Sequence, residues 1–106
     1  FPDGLDCEIF KFSALEESWQ KAKTSHQKEH VTPYIRKMKK FKKVNILNKF
    51  NQKKIRLTID WKKDLVLIKK IFKHFKPKID FDMNEINILI KKYPKWFKIN
   101  KKFNVR

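Results

Sequence analysis

Ile55-Arg56-Leu57-Thr58-Ile59-Asp60-Trp61-Lys62-Lys63-Asp64-Leu65, running on to Phe75, changes its period halfway. Residues 55–60 alternate: Ile55, Leu57 and Ile59 fall on one side, Arg56, Thr58 and Asp60 on the other, which predicts a strand. From Trp61 the apolar residues recur at spacings of four and three (Trp61, Leu65, Ile68, Phe72, Phe75), which predicts an amphipathic helix ending before Pro77. Asp60 stands at the junction. An aspartate there is ordinarily a helix N-cap. In an open α/β sheet, however, ligands bind beyond the carboxyl ends of strands, so Asp60 is also a candidate Mg²⁺ ligand.

Upstream, Leu5–Phe12 alternates as a strand after the turn signal Pro2-Asp3-Gly4. Cys7 falls on its apolar side and reads as a buried thiol in a reducing compartment. Ser13-Ala14-Leu15-Glu16 is a capping box opening a helix with the stripe Leu15, Trp19, Ala22. Residues 23–29 read as a polar loop, and Thr32-Pro33 starts a short helix towards Lys39. Val44–Leu47 and Ile55–Ile59 are expected to form a hairpin. Asp82-Met83-Asn84-Glu85 opens a last helix carrying Ile86, Leu89 and Ile90, and the tail from Lys95 is irregular, anchored by Trp96 and Phe97.

A formal charge of +17 invites a nucleic-acid or polyanion partner. Only three of the 28 basic residues are arginine, though, and bidentate phosphate and base readout favour arginine. Lysines spread over every segment after residue 20 fit a solvated surface better. Ten Phe and three Trp supply a core and argue against disorder. No apolar run approaches a membrane span. Gly4 is the one glycine, so neither a Rossmann fingerprint nor a P-loop exists in these 106 residues.

Three polar groups stand out. Phe1–Phe10 holds Asp3, Asp6 and Glu8 without a Lys or Arg, and Asp6 and Glu8 share one strand face, able to present oxygens to hydroxyls or a cation; the plainer reading is a turn and a solvated edge. Glu29-His30 sits before Thr32-Pro33, suited to acid–base work or ligand hydrogen bonding; the plainer reading is a helix-entrance cap. Adjacent residues lack the i, i+4 spacing of a helical metal pair, and His26 and His74 read as surface residues. Asp60 is the third.

Taken in order, Phe-Pro-Asp-Gly-Leu-Asp-Cys-Glu-Ile-Phe-Lys-Phe-Ser-Ala-Leu-Glu (1–16), Glu-His-Val-Thr-Pro-Tyr-Ile (29–35) and Arg-Leu-Thr-Ile-Asp-Trp-Lys-Lys-Asp-Leu (56–65) resemble the cytidylyltransferase family of spore coat polysaccharide biosynthesis protein F. The 3-deoxy-manno-octulosonate and acylneuraminate cytidylyltransferases belong to the same family. The resemblance spans Phe1 to about Phe103 and implies an α/β, Rossmann-like nucleotide-diphospho-sugar transferase fold, about three strands and four helices of it here. It implies that residues 1–106 are the C-terminal portion of a cytoplasmic enzyme whose CTP-binding half is absent, in keeping with the lone glycine and the opening Phe1. The implied reaction transfers CMP from CTP to an acidic or related sugar for surface polysaccharide or glycan synthesis, with Mg²⁺ as cofactor. Asp60 matches the second metal ligand, and Asp64-Leu65 a structural helix start. Asp3, Gly4, Asp6, Glu8, Glu29, His30 and Arg36 fall on the acceptor side, and none is expected to be a catalytic group in the isolated chain. A homodimer is a further expectation. A basic nucleic-acid-binding module is the alternative.

Overall fold

The computed structural model describes residues 1–101, which divide into two compact units: residues 1–6 with the chain from Asn48 onward, and Cys7–Leu47.

In the first unit, α4 (Lys62–Phe75) spans the predicted helix but buries Leu67 and Ile71 rather than the expected stripe, of which Trp61, Leu65 and Phe72 are exposed, whereas α5 (Met83–Lys92) buries Ile86 and Leu89 as its spacing predicts. Leu67 and Ile71 of α4, Ile86 and Leu89 of α5, and Phe97 of a 3₁₀ turn (Trp96–Lys98) form one buried cluster. Burying each such side chain contributes roughly 1.5–3 kcal/mol. Phe75 stacks on Phe81 at 4.5 Å and Tyr93 on Trp96 at 4.4 Å, closing the rim of this core. The start of α5 is held as its sequence predicts: the Asp82 carboxylate accepts from Glu85 N at 2.9 Å, and Glu85 Oε2 accepts from Asp82 N at 2.9 Å.

The second unit holds α1 (Phe12–Lys21), α2 (Ser25–Glu29) and α3 (Pro33–Lys37). Pro33 opens α3 where its missing N–H costs nothing. The side of α1 that is buried carries Ala14 and Ser18, not the expected Leu15–Trp19–Ala22 stripe; Trp19 is 79% exposed. Small side chains let α1 lie close to α3, and Ser18 Oγ donates to Val31 O at 3.0 Å. Tyr34, buried on α3, donates to Glu17 Oε1 at 3.2 Å. The Ser13 capping box does not form, since the N-cap lies two residues earlier, at Lys11, and α1 begins at Phe12. Residues 25–29, expected as loop, are helical because Thr24 and Gln27 build a capping box.

The α/β expectation fails. Among the described residues there is no strand ladder, only one isolated parallel bridge between Asp3 and Arg56. Neither Leu5–Phe12 nor Val44–Leu47 has a paired strand, and the hairpin with Ile55–Ile59 is absent. Alternation sets which side chains share a face, but a strand exists only when a neighbour takes up its N–H and C=O groups. Without that neighbour the apolar side chains stay in water: Ile9 is 93% and Val44 81% exposed, and Cys7 is exposed rather than buried. No helix among the described residues is long and apolar enough to cross a membrane.

Candidate functional site

Asp3 and Arg56 meet along the bridge: Asp3 N donates to Ile55 O at 2.8 Å and Leu57 N to Asp3 O at 2.7 Å. Gly4 makes this approach feasible. Its φ is +98°, and a Cβ there would lie 2.6 Å from Thr58 N, so any other residue would be both strained and in collision. Two backbone hydrogen bonds thus place the acidic opening of the chain against the segment that leads to Asp60.

Arg56 was expected to point outward with Thr58 and Asp60. Its side chain is instead only 6% exposed and serves as the hub of the unit. Nη1 donates to Asp3 Oδ2 at 2.9 Å, Nη2 to Asp60 Oδ2 at 2.5 Å, and Nε and Nη2 grip Asp64 Oδ1 and Oδ2 at 2.9 and 3.1 Å. This planar fork is a task lysine cannot perform. An arginine between Ile55 and Leu57, one of only three among 28 basic residues, was the available signal.

Asp64 is fully buried. Besides Arg56 it accepts from Asn100 Nδ2 at 2.7 Å and from the backbone N–H of Asp60 and Trp61 at 3.0 and 2.9 Å. Burial alone would raise its pKa, but the guanidinium, the Asn100 amide and the two backbone donors outweigh it and hold the carboxyl well below the usual range. The Asp64 hydrogen bond keeps Arg56 charged despite desolvation, helped by Asp60. Asp64, not Asp60, therefore ties down the N-terminus of α4, and the N-cap expectation for Asp60 is corrected. Asn100 also donates to Arg56 O at 3.2 Å, so the far end of the chain clamps the same hub.

Asp60 is left as the open member of the cluster. Its side chain is 59% exposed, and Arg56 engages Oδ2, leaving Oδ1 for a second ligand. Of the other predicted residues, Asp6 is exposed in the first unit. In the second unit, Glu8 pairs with Arg36 at 2.6 Å, and Glu29 Oε2 lies 3.9 Å from His30 Nε2, both at the surface. Two groupings result: Asp3, Gly4 and Asp60 around Arg56 in one unit, Glu8 with Arg36 and Glu29 with His30 in the other.

Mg²⁺ characteristically takes one or two protein carboxylates and completes its shell with water and substrate phosphates. Asp60 Oδ1 fits that role as a single ligand, whereas the oxygens of Asp64 are committed to hydrogen bonds. No group of three or more His, Cys, Asp or Glu side chains suited to a metal occurs among the described residues.

No family model matches the chain, and no solved structure matches it. It is 42% identical over 106 residues to the uncharacterized protein MJ1063 of Methanocaldococcus jannaschii, a match that covers 97% of this chain and 42% of that protein. The chain thus spans less than half the length of this relative.

Proposed function

We propose that the chain forms the acceptor-side part of a cytoplasmic cytidylyltransferase that passes CMP from CTP to an acidic or related sugar for glycan synthesis, and that it is inactive alone. The proposal takes the sequence motifs as its starting point. The observation that supports it is the Arg56 hub, which gathers Asp3 of the first motif with Asp60 and Asp64 of the third and leaves an Asp60 oxygen accessible. Mg²⁺ held through Asp60 would supply charge neutralisation on the phosphate oxygens. Arg56 orients Asp60 through Oδ2, while Asp3 fixes Arg56 through a separate guanidinium nitrogen. Glu8, Glu29, His30 and Arg36 offer hydrogen-bonding and charged groups for sugar hydroxyls and an acidic substituent.

The test measures pyrophosphate release from CTP with Mg²⁺ and a panel of acidic sugars. It compares a polypeptide carrying these residues behind a CTP-binding half with the isolated chain. Turnover in the first and silence in the second are expected, with Asp60→Ala lowering turnover on the order of a hundredfold. Full Mg²⁺-dependent turnover in Asp60→Ala overturns the metal role, and no turnover with any sugar overturns the reaction.

The charge of +17 supports a second reading, a polyanion-binding module. It requires duplex or single-strand affinity that falls steeply with salt; absence of binding at about 50 mM salt removes it.

A further inference from the structure

His26 and His30 stand four residues apart across α2, with His30 at its C-cap, and their ring centroids lie 4.6 Å from each other at an interplanar angle of 54°. Both are exposed. We infer that this pair is a chelating site for a divalent transition metal, with Ni²⁺ or Cu²⁺ the preferred class.

The backbone holds the two rings in step. Thr24 and Gln27 cap the start of α2, and His30 N donates to His26 O at 3.1 Å, so the i, i+4 spacing is fixed by a helical hydrogen bond. Past His30 the chain turns sharply: Thr32 N donates to His30 O at 2.7 Å, and Val31 takes φ 65°. A β-branched residue in the left-handed region is a strained choice where glycine is usual. Ser18 Oγ, bonded to Val31 O at 3.0 Å, holds it there. Strain retained in this way collects at ligand sites.

The separation selects the metal. With metal–nitrogen bonds of about 2.0–2.1 Å, two imidazoles at a right angle place their centroids about 4.5 Å apart, and a tetrahedral angle about 5.2 Å apart. The observed 4.6 Å matches the right angle of square-planar or octahedral centres, which Cu²⁺ and Ni²⁺ favour. Rotation about the Cβ–Cγ bonds, a broad torsion in histidine, aims one nitrogen of each ring at a common point. Glu29, with Oε2 3.9 Å from His30 Nε2, sets a negative charge beside that point. No third ligand-type side chain converges there among the described residues, so water fills the remaining positions. Two imidazole nitrogens favour these borderline metals over hard ions such as Mg²⁺, which prefer oxygen ligands.

Ni²⁺ is the probe, because Cu²⁺ would also meet the exposed Cys7 thiol. Calorimetric titration of the full chain with nickel chloride should give one saturable site per chain. His26→Ala and His30→Ala should each weaken it on the order of tenfold or more, with His74→Ala unchanged. Helical circular dichroism of each variant checks that the exposed substitutions leave the fold in place. In NMR spectra, paramagnetic broadening should reach the His26 and His30 rings first. No saturable binding at about 1 mM Ni²⁺, the weak end of specific affinity, overturns the site. So does equal weakening by His74→Ala.

Discussion

The two units bury different things. The first closes an aliphatic and aromatic core over α4 and α5 and seals a charged hub, Arg56 with Asp64, inside it. The second buries Ala14, Ser18, Thr32 and Tyr34 and leaves Phe12, Trp19 and Ile9 in water. Its charged contacts, such as Glu17 with Lys21 and Lys40, lie on the surface. A buried ion pair and an exposed one obey different energetics. Removing one partner of the buried pair strands an unpaired charge, whereas solvent readily replaces a surface partner. Stability should accordingly be concentrated in the first unit.

The largest expected effect is Asp64→Ala. It takes from the buried Arg56 its two-point partner, leaving Asp3 and Asp60, and empties the acceptor of Asn100 and two backbone N–H groups; it should cost roughly 3–5 kcal/mol of unfolding free energy in urea titrations. A double variant, Arg56→Met with Asp64→Leu, should recover only part of the loss: it removes these two charges together but takes the guanidinium from the nearly buried Asp3 carboxylate. Next comes Gly4→Ala, which adds a Cβ at positive φ against the Thr58 backbone. About 1–3 kcal/mol is expected, read as a fall in denaturation midpoint.

Acid should separate the units in the same direction. The native pKa of Asp64 is depressed, so its contribution is fully present above the unfolded carboxylate value of about 4 and is lost progressively as pH falls below it. Glu17 is lowered too, by Lys40 first and Lys21 second, but at the surface, where salt screens it. Amide exchange from pH 5 down to about pH 2 should show core amides of α4 losing protection as Asp64 protonates, and added salt should change that little. The smallest effect belongs to the second unit: Trp19→Ser should shift stability by no more than about 0.5 kcal/mol, since the ring is already in water. A larger loss would mean that Trp19 has a partner in solution.

What the sequence disclosed follows the same division. The span of α4 and the Asp82–Glu85 cap of α5 were legible because one helix carries the whole signal, either as period or as local capping chemistry. The strands were misread because alternation belongs to one segment while a ladder needs two. The face of α1 was misread because close helix contact selects small residues, so Ala14 and Ser18 lie inside and Trp19 outside. In the candidate site, Asp3 and Gly4 were singled out as acceptor-side residues and Asp60 as a metal ligand; the structure gathers them around one centre, Arg56, that the pattern did not reveal. Arg56 sits in an alternating pattern that puts it on the polar side, and only its partners 8 and 53 residues away, Asp64 and Asp3, explain its burial. Asn100, 36 residues beyond Asp64, left no local trace.

Arg56 and Asp64 lock Asp3 to the segment that ends at Asp60. Native-state hydrogen exchange at the Leu57 amide, which donates to Asp3 O, reports on that lock directly. Protection comparable to the α4 core amides, lost on Asp64→Ala while α3 amides of the second unit are unchanged, is the predicted result. A Leu57 amide that exchanges as fast in the native chain as those of the unpaired segment Val44–Leu47 would contradict it.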